Sequence, residues 1–177
     1  MRTLPLIALL VALCCFLPAP AHAEVLTPAH AIGINMTFVA GNASMLVDGN
    51  VKSEVFVNPF LIDSYIDFIF SELIEASSIR IYNDYDVNDA SLVEFNLEFY
   101  NGPNLIATQS ALASPLTVAL HTIPFTKTVG PFNTVRLTPV VGQGGNRFQM
   151  REVQFNGNAT TSPARHSTWG AVKALFE

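Results

Sequence analysis

The sequence predicts an all-β protein, an antiparallel β-sandwich or jelly roll, from three observations. Segments that alternate apolar and polar residues recur along the chain, turns rich in Gly, Pro and Asn interrupt them, and convincing helical periodicity is scarce. Thirteen phenylalanines and a charged fraction of only 13% suit a chain with a large apolar core. Several short strands separated by frequent turns are typical of packed antiparallel sheets.

Strand-like segments follow one another through most of the chain. The clearest is 92–100, in which Val93, Phe95, Leu97 and Phe99 fall on one face. The other predicted strands span residues 32–39, 65–70, 78–82, 105–109, 116–123 and 133–140. A helix is the alternative for residues 63–76, where apolar neighbours stand three and four positions apart. The aromatic and β-branched residues there favour a strand, a turn and a second strand.

The last predicted strand contains a break in its alternation. Phe148 and Met150 stand at even positions, whereas Val153 and Phe155 stand at odd ones. Because side chains alternate with a period of two, one regular strand cannot bury all four. One extra residue at positions 151–152, a β-bulge, would restore the alternation. Two short strands that bury opposite faces are the alternative.

The first 23 residues have the features of a secretory signal peptide. Arg2 supplies a positive start, residues 5–17 are apolar, and Ala21-His22-Ala23 is a small-x-small site that predicts cleavage before Glu24. The apolar run is too short for a comfortable membrane span. We therefore expect a secreted protein, or a periplasmic one in a Gram-negative bacterium.

The mature chain is expected to form one domain at 24–157, followed by a polar linker and a short tail at 158–177. Both cysteines lie in the signal peptide, so the core or a metal must hold the mature domain without disulfides. The formal net charge is -5, and Lys and Arg form no run. This pattern argues against nucleic-acid and membrane partners.

The sequence contains no recognisable catalytic arrangement. The three histidines of the mature chain, His30, His121 and His166, belong to no nucleophile or zinc motif. Glu94 and Glu98 fall on one face of a strand, but they lack the flanking geometry that glycoside hydrolysis needs. We therefore expect that the protein is not an enzyme.

Six segments occur in the order and spacing of a known family. They are "LVDGNVKSEV" (46–55), "YIDFIF" (65–70), "ASSIRIYND" (76–84), "VEFNLEFYNG" (93–102), "FNTVRLTPV" (132–140) and "REVQFNG" (151–157). Over about residues 32–157 the chain resembles the coagulation-factor type C, or discoidin, domain. That family includes bacterial carbohydrate-binding modules with a galactose-binding-like jelly roll.

The resemblance implies a secreted, non-catalytic carbohydrate-binding module of the kind used in cell adhesion. Its partners would be glycans or a cell-surface or extracellular protein. The alternative is a structural or protein-interaction β-sandwich that keeps the jelly roll without a sugar site. A glycan-binding assay on folded protein discriminates the two hypotheses.

The resemblance also implies a structural calcium ion. The matching ligand positions are Asp48, Asn50 and Ser53, in the loop at the Asp-Gly turn, together with Glu152 at the predicted bulge. Calcium takes several oxygen ligands, and a tight turn can supply carbonyls beside a carboxylate. The alternative is that residues 48–50 form an ordinary turn and that Glu152 is exposed.

The segment that follows the strand at 78–82 is rich in acids and amides and has two interpretations. From its residues alone it is a solvated turn, since it lacks the glycine and the distant glutamate of an EF-hand. In the resembling family, loops at one end of the sandwich often form a ligand rim. Aromatic rings stack on sugars, and amides bind hydroxyls. The resulting candidate sugar contacts are Tyr82, Asn83 and Tyr85, with Asn146 and Arg147 from the glycine-rich loop at 143–148.

Overall fold

The computed structural model describes residues 23–83, 91–115 and 117–160. Across these ranges the protein is built almost entirely of strands, and no helix is long and apolar enough to cross a membrane. The strands are β1 (Glu24–Leu26), β2 (His30–Ala40), β3 (Val55–Asn83), β4 (Leu92–Asn101), β5 (Asn104–Ala113), β6 (Ala119–Gly142) and β7 (Phe148–Ala159). A short 3-10 helix, Ala43–Val47, connects β2 to β3.

The strands form the predicted antiparallel β-sandwich with a jelly-roll fold. Two long strands, β3 and β6, each contribute to both of its layers. In one layer, residues 66–69 of β3 pair with residues 134–137 of β6, and β2, β4 and β5 complete the sheet. In the other layer, residues 78–83 of β3 pair with 119–124 of β6, and β7 and β1 follow.

The bend of β3 corrects one prediction. Residues 63–76 do not form a strand, a turn and a second strand, because β3 continues through them. Register shifts between Ile69 and Ser78 mark the bend, and β6 bends alongside, with Ile74 opposite Phe132. The chain needs no turn here, because pairing with β6 resumes at Ile74 after the shift.

Phenylalanine side chains fill the space between the layers. The ring centroid of Phe155 in β7 lies 6.3 Å from that of Phe68 and 5.4 Å from that of Phe70. Phe99 of β4 meets Phe125 of β6 at 5.2 Å. These edge-to-face contacts join the two layers, and each buried aromatic stabilises the fold by about 1.5–3 kcal/mol. A core of this kind accounts for a domain whose described residues include no cysteine.

The alternation predicted for β4 is confirmed except at its start. Phe95, Leu97 and Phe99 are fully buried, whereas Val93 is only half-buried and Leu92 is buried instead. The register with β6 shifts at this point, and the shift reverses which side chain faces the core.

The predicted bulge in β7 is confirmed. Residues 82 and 83 of β3 are neighbours, yet they lie opposite Glu152 and Met150, so that Arg151 is the extra residue. The four apolar side chains of the strand are all buried. Glu152 is buried with them, and the prediction that it could be an exposed carboxylate is wrong.

The domain extends slightly beyond its predicted end. β7 reaches Ala159, and the backbone N–H of Thr160 donates to the carbonyl of Leu73 at 2.9 Å. Residues 158–160 therefore belong to the sandwich and not to the predicted linker. Residues 1–22 of the predicted signal peptide and the tail from 161 lie outside the described residues.

Candidate functional site

The loops that carry the predicted site residues lie at one end of the sandwich. The backbone N–H of Gln143 donates to the carbonyl of Ser91 at 2.8 Å, which places the glycine-rich loop beside the start of β4. Asn83, the last residue of β3, lies opposite Met150 near the start of β7. The structure thus brings the Tyr82–Asn83 segment close to the loop at 143–147.

Asn83 is not a sugar contact, which corrects the prediction for this residue. It is fully buried, and its amide nitrogen lies 3.0 Å from the carbonyl oxygen of Leu92, 3.1 Å from the hydroxyl of Ser114 and 3.1 Å from the carbonyl of Pro115. Its amide oxygen accepts the N–H of Leu92 at 3.1 Å. Every polar group of the side chain is therefore used to tie β3 to β4 and to the connection between β5 and β6.

Tyr82 remains a candidate contact, because its ring is only half-buried. The guanidinium carbon of Arg151 lies 5.8 Å from the ring centroid, and Arg151 also donates to the carbonyl of Val51 at 3.5 Å. Tyr82 thus lies beside the bulge that carries Glu152. Tyr85 lies outside the described residues.

Two glycines shape the loop that holds Asn146 and Arg147. Gly144 and Gly145 have φ values of 75° and 106°, which favour glycine. A Cβ atom on Gly144 would lie 2.6 Å from a terminal guanidinium nitrogen of Arg147, so this side chain folds back over the turn. The Nε of Arg147 is buried and has no hydrogen-bond partner within the described residues. Asn146 is exposed, and its amide nitrogen is 3.4 Å from the carbonyl of Phe60.

The loop that holds three of the predicted metal ligands is a tight turn. The carboxylate of Asp48 accepts the backbone N–H of Asn50 at 2.8 Å and the hydroxyl of Ser53 at 2.7 Å. The amide oxygen of Asn50 accepts the N–H of Lys52 at 3.1 Å. Gly49 has a φ of 74° and allows the sharp reversal. Local side-chain bonds of Asp and Asn hold this turn, as the sequence suggests.

Glu152 is the most unusual polar residue of this end of the molecule. Its side chain is 1% exposed, and neither carboxylate oxygen has a hydrogen-bond partner within the described residues. Burial, and after it the negative charge of Asp48, raises the pKa of Glu152 to about 7. The Gln154 side chain and the Gly49 N–H partly offset that rise, although neither is within hydrogen-bonding geometry. Burying a carboxylate in this way is costly unless a cation compensates it.

These residues fit a calcium ion. Asp48 and Glu152 offer two carboxylates, and the Asn50 and Ser53 side chains and the loop carbonyls offer neutral oxygens. The hydrogen bonds to Asp48 leave acceptor capacity, because a carboxylate can accept about four. The described residues contain no cluster of three or more His, Cys, Asp and Glu, so an ion here would need neutral ligands as well. Calcium binding stays a prediction.

His121 is a polar residue of this end that the sequence did not single out. It lies at the start of β6 opposite Ile81, and its Nε2 is 2.9 Å from the hydroxyl and 3.0 Å from the carbonyl of Thr117. The ring is half-buried. The sequence carried no signal for it, because His121 belongs to no motif and lies inside the strand predicted at 116–123.

Comparisons with solved structures find the same fold. The family 32 carbohydrate-binding module of NanJ from Clostridium perfringens, solved with galactose, matches with a TM-score of 0.57 and 17% identity, over 71% of this chain and 91% of that one. A Streptococcus pneumoniae fucose-binding module matches with a TM-score of 0.58 and 14% identity, over 80% and 100%. The C-terminal domain of a Bacteroides fragilis chitobiase matches with a TM-score of 0.63 and 14% identity, over 78% and 100%.

Searches by sequence give a different result: no family model and no curated protein matches the chain. At 14–17% identity, the structural likeness shows the fold alone. The resemblance to discoidin-like domains with a galactose-binding-like jelly roll is thereby confirmed at the level of the fold.

Proposed function

We propose that this protein is a secreted, non-catalytic carbohydrate-binding module that holds glycans at the loop end of the sandwich. The observation that carries the proposal is the jelly roll shared with modules solved in complex with sugars, such as galactose. The polar side chains of that end support it. They lie at the end of β3 and on the loop between β6 and β7.

The proposed rim consists of Tyr82, Asn146 and Arg147, with Tyr85 retained from the sequence. Arg147 has a guanidinium folded over a glycine turn, and it offers donors to sugar hydroxyls. Asn146 is exposed and offers an amide. Tyr82 and Tyr85 offer aromatic rings for stacking on the C–H face of a sugar. Asn83 is fully buried and ties the end of β3 to β4, so it is not part of the rim.

Calcium is the proposed structural partner of the module. Asp48 and Glu152 would hold the ion, and Asn50 and Ser53 would complete the set with loop carbonyls. When bound, the ion would supply positive charge that neutralises two neighbouring carboxylates. Glu152 belongs to β7 and Asp48 to the loop before β3, so the site would tie an early loop to the last strand.

A glycan array with mature protein tests the proposed function. We expect binding to at least one glycan class, and loss of binding in Arg147→Ala and Tyr85→Ala without loss of the fold. Glu54→Gln, which changes an exposed residue outside the rim, is the matched control. If the protein binds no neutral or acidic glycan, and circular dichroism confirms that it is folded, the structural or protein-interaction alternative is favoured.

The non-catalytic part of the proposal has a separate test. Glu98 accepts the hydroxyl of Tyr100 at 2.7 Å, and this hydrogen bond raises the pKa of Tyr100. Glu98 also lies opposite Arg136 on the sheet, a structural setting for a carboxylate. Reducing sugar released by the purified protein and abolished by Glu98→Gln would contradict the proposal.

Secretion predicts Glu24 at the mature N-terminus, which mass spectrometry measures.

A further inference from the structure

β3 leaves its ladder with β2 at residues 61–64. Met36 of β2 lies opposite Phe60, and Ile34 lies opposite Tyr65. Four residues of β3 therefore stand opposite the single residue Asn35. Such irregularities in a sheet re-aim side chains and are frequent beside functional sites.

This excursion presents two large apolar side chains to solvent. Leu61 is 54% exposed, and Ile62, at 101%, has the highest exposure of the large apolar residues described. Isolated exposed leucines are common in proteins. Here two such residues are adjacent, and one of them is fully exposed, in a fold that buries most of its other large apolar side chains. This arrangement needs an explanation.

Hydrogen bonds hold the excursion in place. The hydroxyl of Ser64, which is fully buried, donates to the carbonyl of Asn35 and accepts the N–H of Leu61 at 2.6 Å. Asn35 has a φ of 53°, and its amide donates to Asp63 at 2.8 Å. Buried polar contacts thus hold in place a segment whose apolar side chains contact little of the protein.

The excursion is joined directly to the proposed sugar rim. The backbone N–H of Phe60 donates to the carbonyl of Asn146 at 2.8 Å, and the amide of Asn146 lies 3.4 Å from the carbonyl of Phe60. The residue before Leu61 is therefore paired with a rim residue. This pairing places the apolar tip, Leu61 and Ile62, beside Asn146 of the rim.

We infer that the apolar tip is a specificity element that selects sugars carrying a methyl group, either a 6-deoxyhexose or an N-acetylhexosamine. The inference rests on the proposed function. A polar rim recognises hydroxyls, whereas an aliphatic surface beside it gains most from contact with an apolar substituent such as a methyl group. A membrane is a poorer occupant, because the tip has two apolar side chains, Asp63 follows them, and the chain is acidic overall.

The expected gain follows from the area of one methyl group. Removing such a group from water contributes about 0.8 kcal/mol, which is roughly fourfold in affinity. Two sugar pairs isolate this term. L-Fucose differs from L-galactose only in having a methyl group in place of the hydroxymethyl group, and N-acetylgalactosamine differs from N-formylgalactosamine only in the methyl group of its amide.

Titration calorimetry with these four sugars tests the inference. Wild-type protein should bind the methyl-bearing member of one pair about fourfold more tightly, and the pair that responds identifies the source of the methyl group. Ile62→Ser and Leu61→Ser should bring that ratio close to one. Leu105→Ser is the matched control, since Leu105 is 52% exposed and opens β5 at the opposite end of the sandwich. It should leave the ratio unchanged.

The outcomes separate the inference from the proposed function. Equal affinity for both members of each pair, or a preference that survives Ile62→Ser, overturns the inference and leaves the module a sugar binder. No binding of any glycan overturns both. Binding of phosphatidylcholine vesicles that Ile62→Ser abolishes would assign the tip to a lipid surface instead. Ile62 has no buried area to lose, so the variant should keep the wild-type melting temperature.

Discussion

Asn83 and Glu152 are both buried polar side chains at the same end of the sandwich, but their surroundings are opposite. Asn83 uses its amide nitrogen and oxygen in hydrogen bonds to three other residues. Glu152, on the neighbouring strand, has no hydrogen-bond partner within the described residues for either oxygen. A buried polar group with all its partners stabilises a fold, whereas one without partners costs free energy until a ligand arrives. The comparison therefore separates a structural residue from a candidate ligand-binding one.

The largest expected effect is the loss of stability in Asn83→Ala. Its removal leaves the N–H and carbonyl of Leu92 and the carbonyl of Pro115 without this partner in a buried site, so we expect a fall of at least about 3 kcal/mol in the free energy of unfolding. Urea denaturation followed by circular dichroism measures it. Asn158→Ala, which removes an exposed amide of β7, should change stability by about 0.5 kcal/mol or less. Equal effects of the two variants would show that the Asn83 bonds contribute little.

The second effect is a pH dependence that belongs to Glu152. Its pKa rises from 4.5 to about 7 in the fold, so between these values the folded protein holds a proton that the unfolded chain releases. Metal-free protein should therefore lose stability as pH rises from about 4.5 to 7 and should level off above that. Urea denaturation at pH 5, 6, 7 and 8 measures the slope.

Variants assign this slope to one carboxylate. Glu152→Gln should flatten it, and above pH 7 it should not lower the stability of the metal-free protein, in contrast to Asn83→Ala. Glu54→Gln removes an exposed carboxylate next to the same loop and should keep the slope. A slope that persists in Glu152→Gln would mean that other groups produce it.

The smallest effect on stability is expected at the rim. Arg147→Ala removes a side chain that lies over a glycine turn, and thermal melting should show a change of about 0.5 kcal/mol or less. Glycan affinity, measured by titration calorimetry, should fall markedly in the same variant. A large loss of stability with unchanged affinity would make Arg147 a structural residue like Asn83.

The sequence predicted the parts of this end that depend on residues close together in the chain. The parity change between Met150 and Val153 predicted the bulge, and the bulge is what places Glu152 inside the protein. The Asp-Gly-Asn segment predicted the turn at 48–50 because its side chains form the turn locally. Information within a few residues of chain was sufficient in both cases.

The sequence could not predict what depends on distant partners. Asn83 stands at the edge of an acid-rich segment and looks like a loop residue, yet its bonds to Ser114 and Pro115 cross more than 30 positions. The bend of β3 likewise depends on β6 bending with it. The exposure of Ile62 likewise depends on how β3 leaves its ladder with β2, which the residues around it do not reveal.

The melting temperature of metal-free protein with added calcium tests the central claim, that the unpartnered Glu152 marks a cation site. An ion that binds only the folded state adds about 2.7 kcal/mol at a hundredfold excess over its dissociation constant. Millimolar calcium should raise the melting temperature, chelator should reverse the rise, and Asp48→Ala and Glu152→Gln should abolish it, while Glu54→Gln should retain it. A melting temperature that responds to neither calcium nor chelator would contradict the account and leave Glu152 a buried, protonated side chain without a ligand.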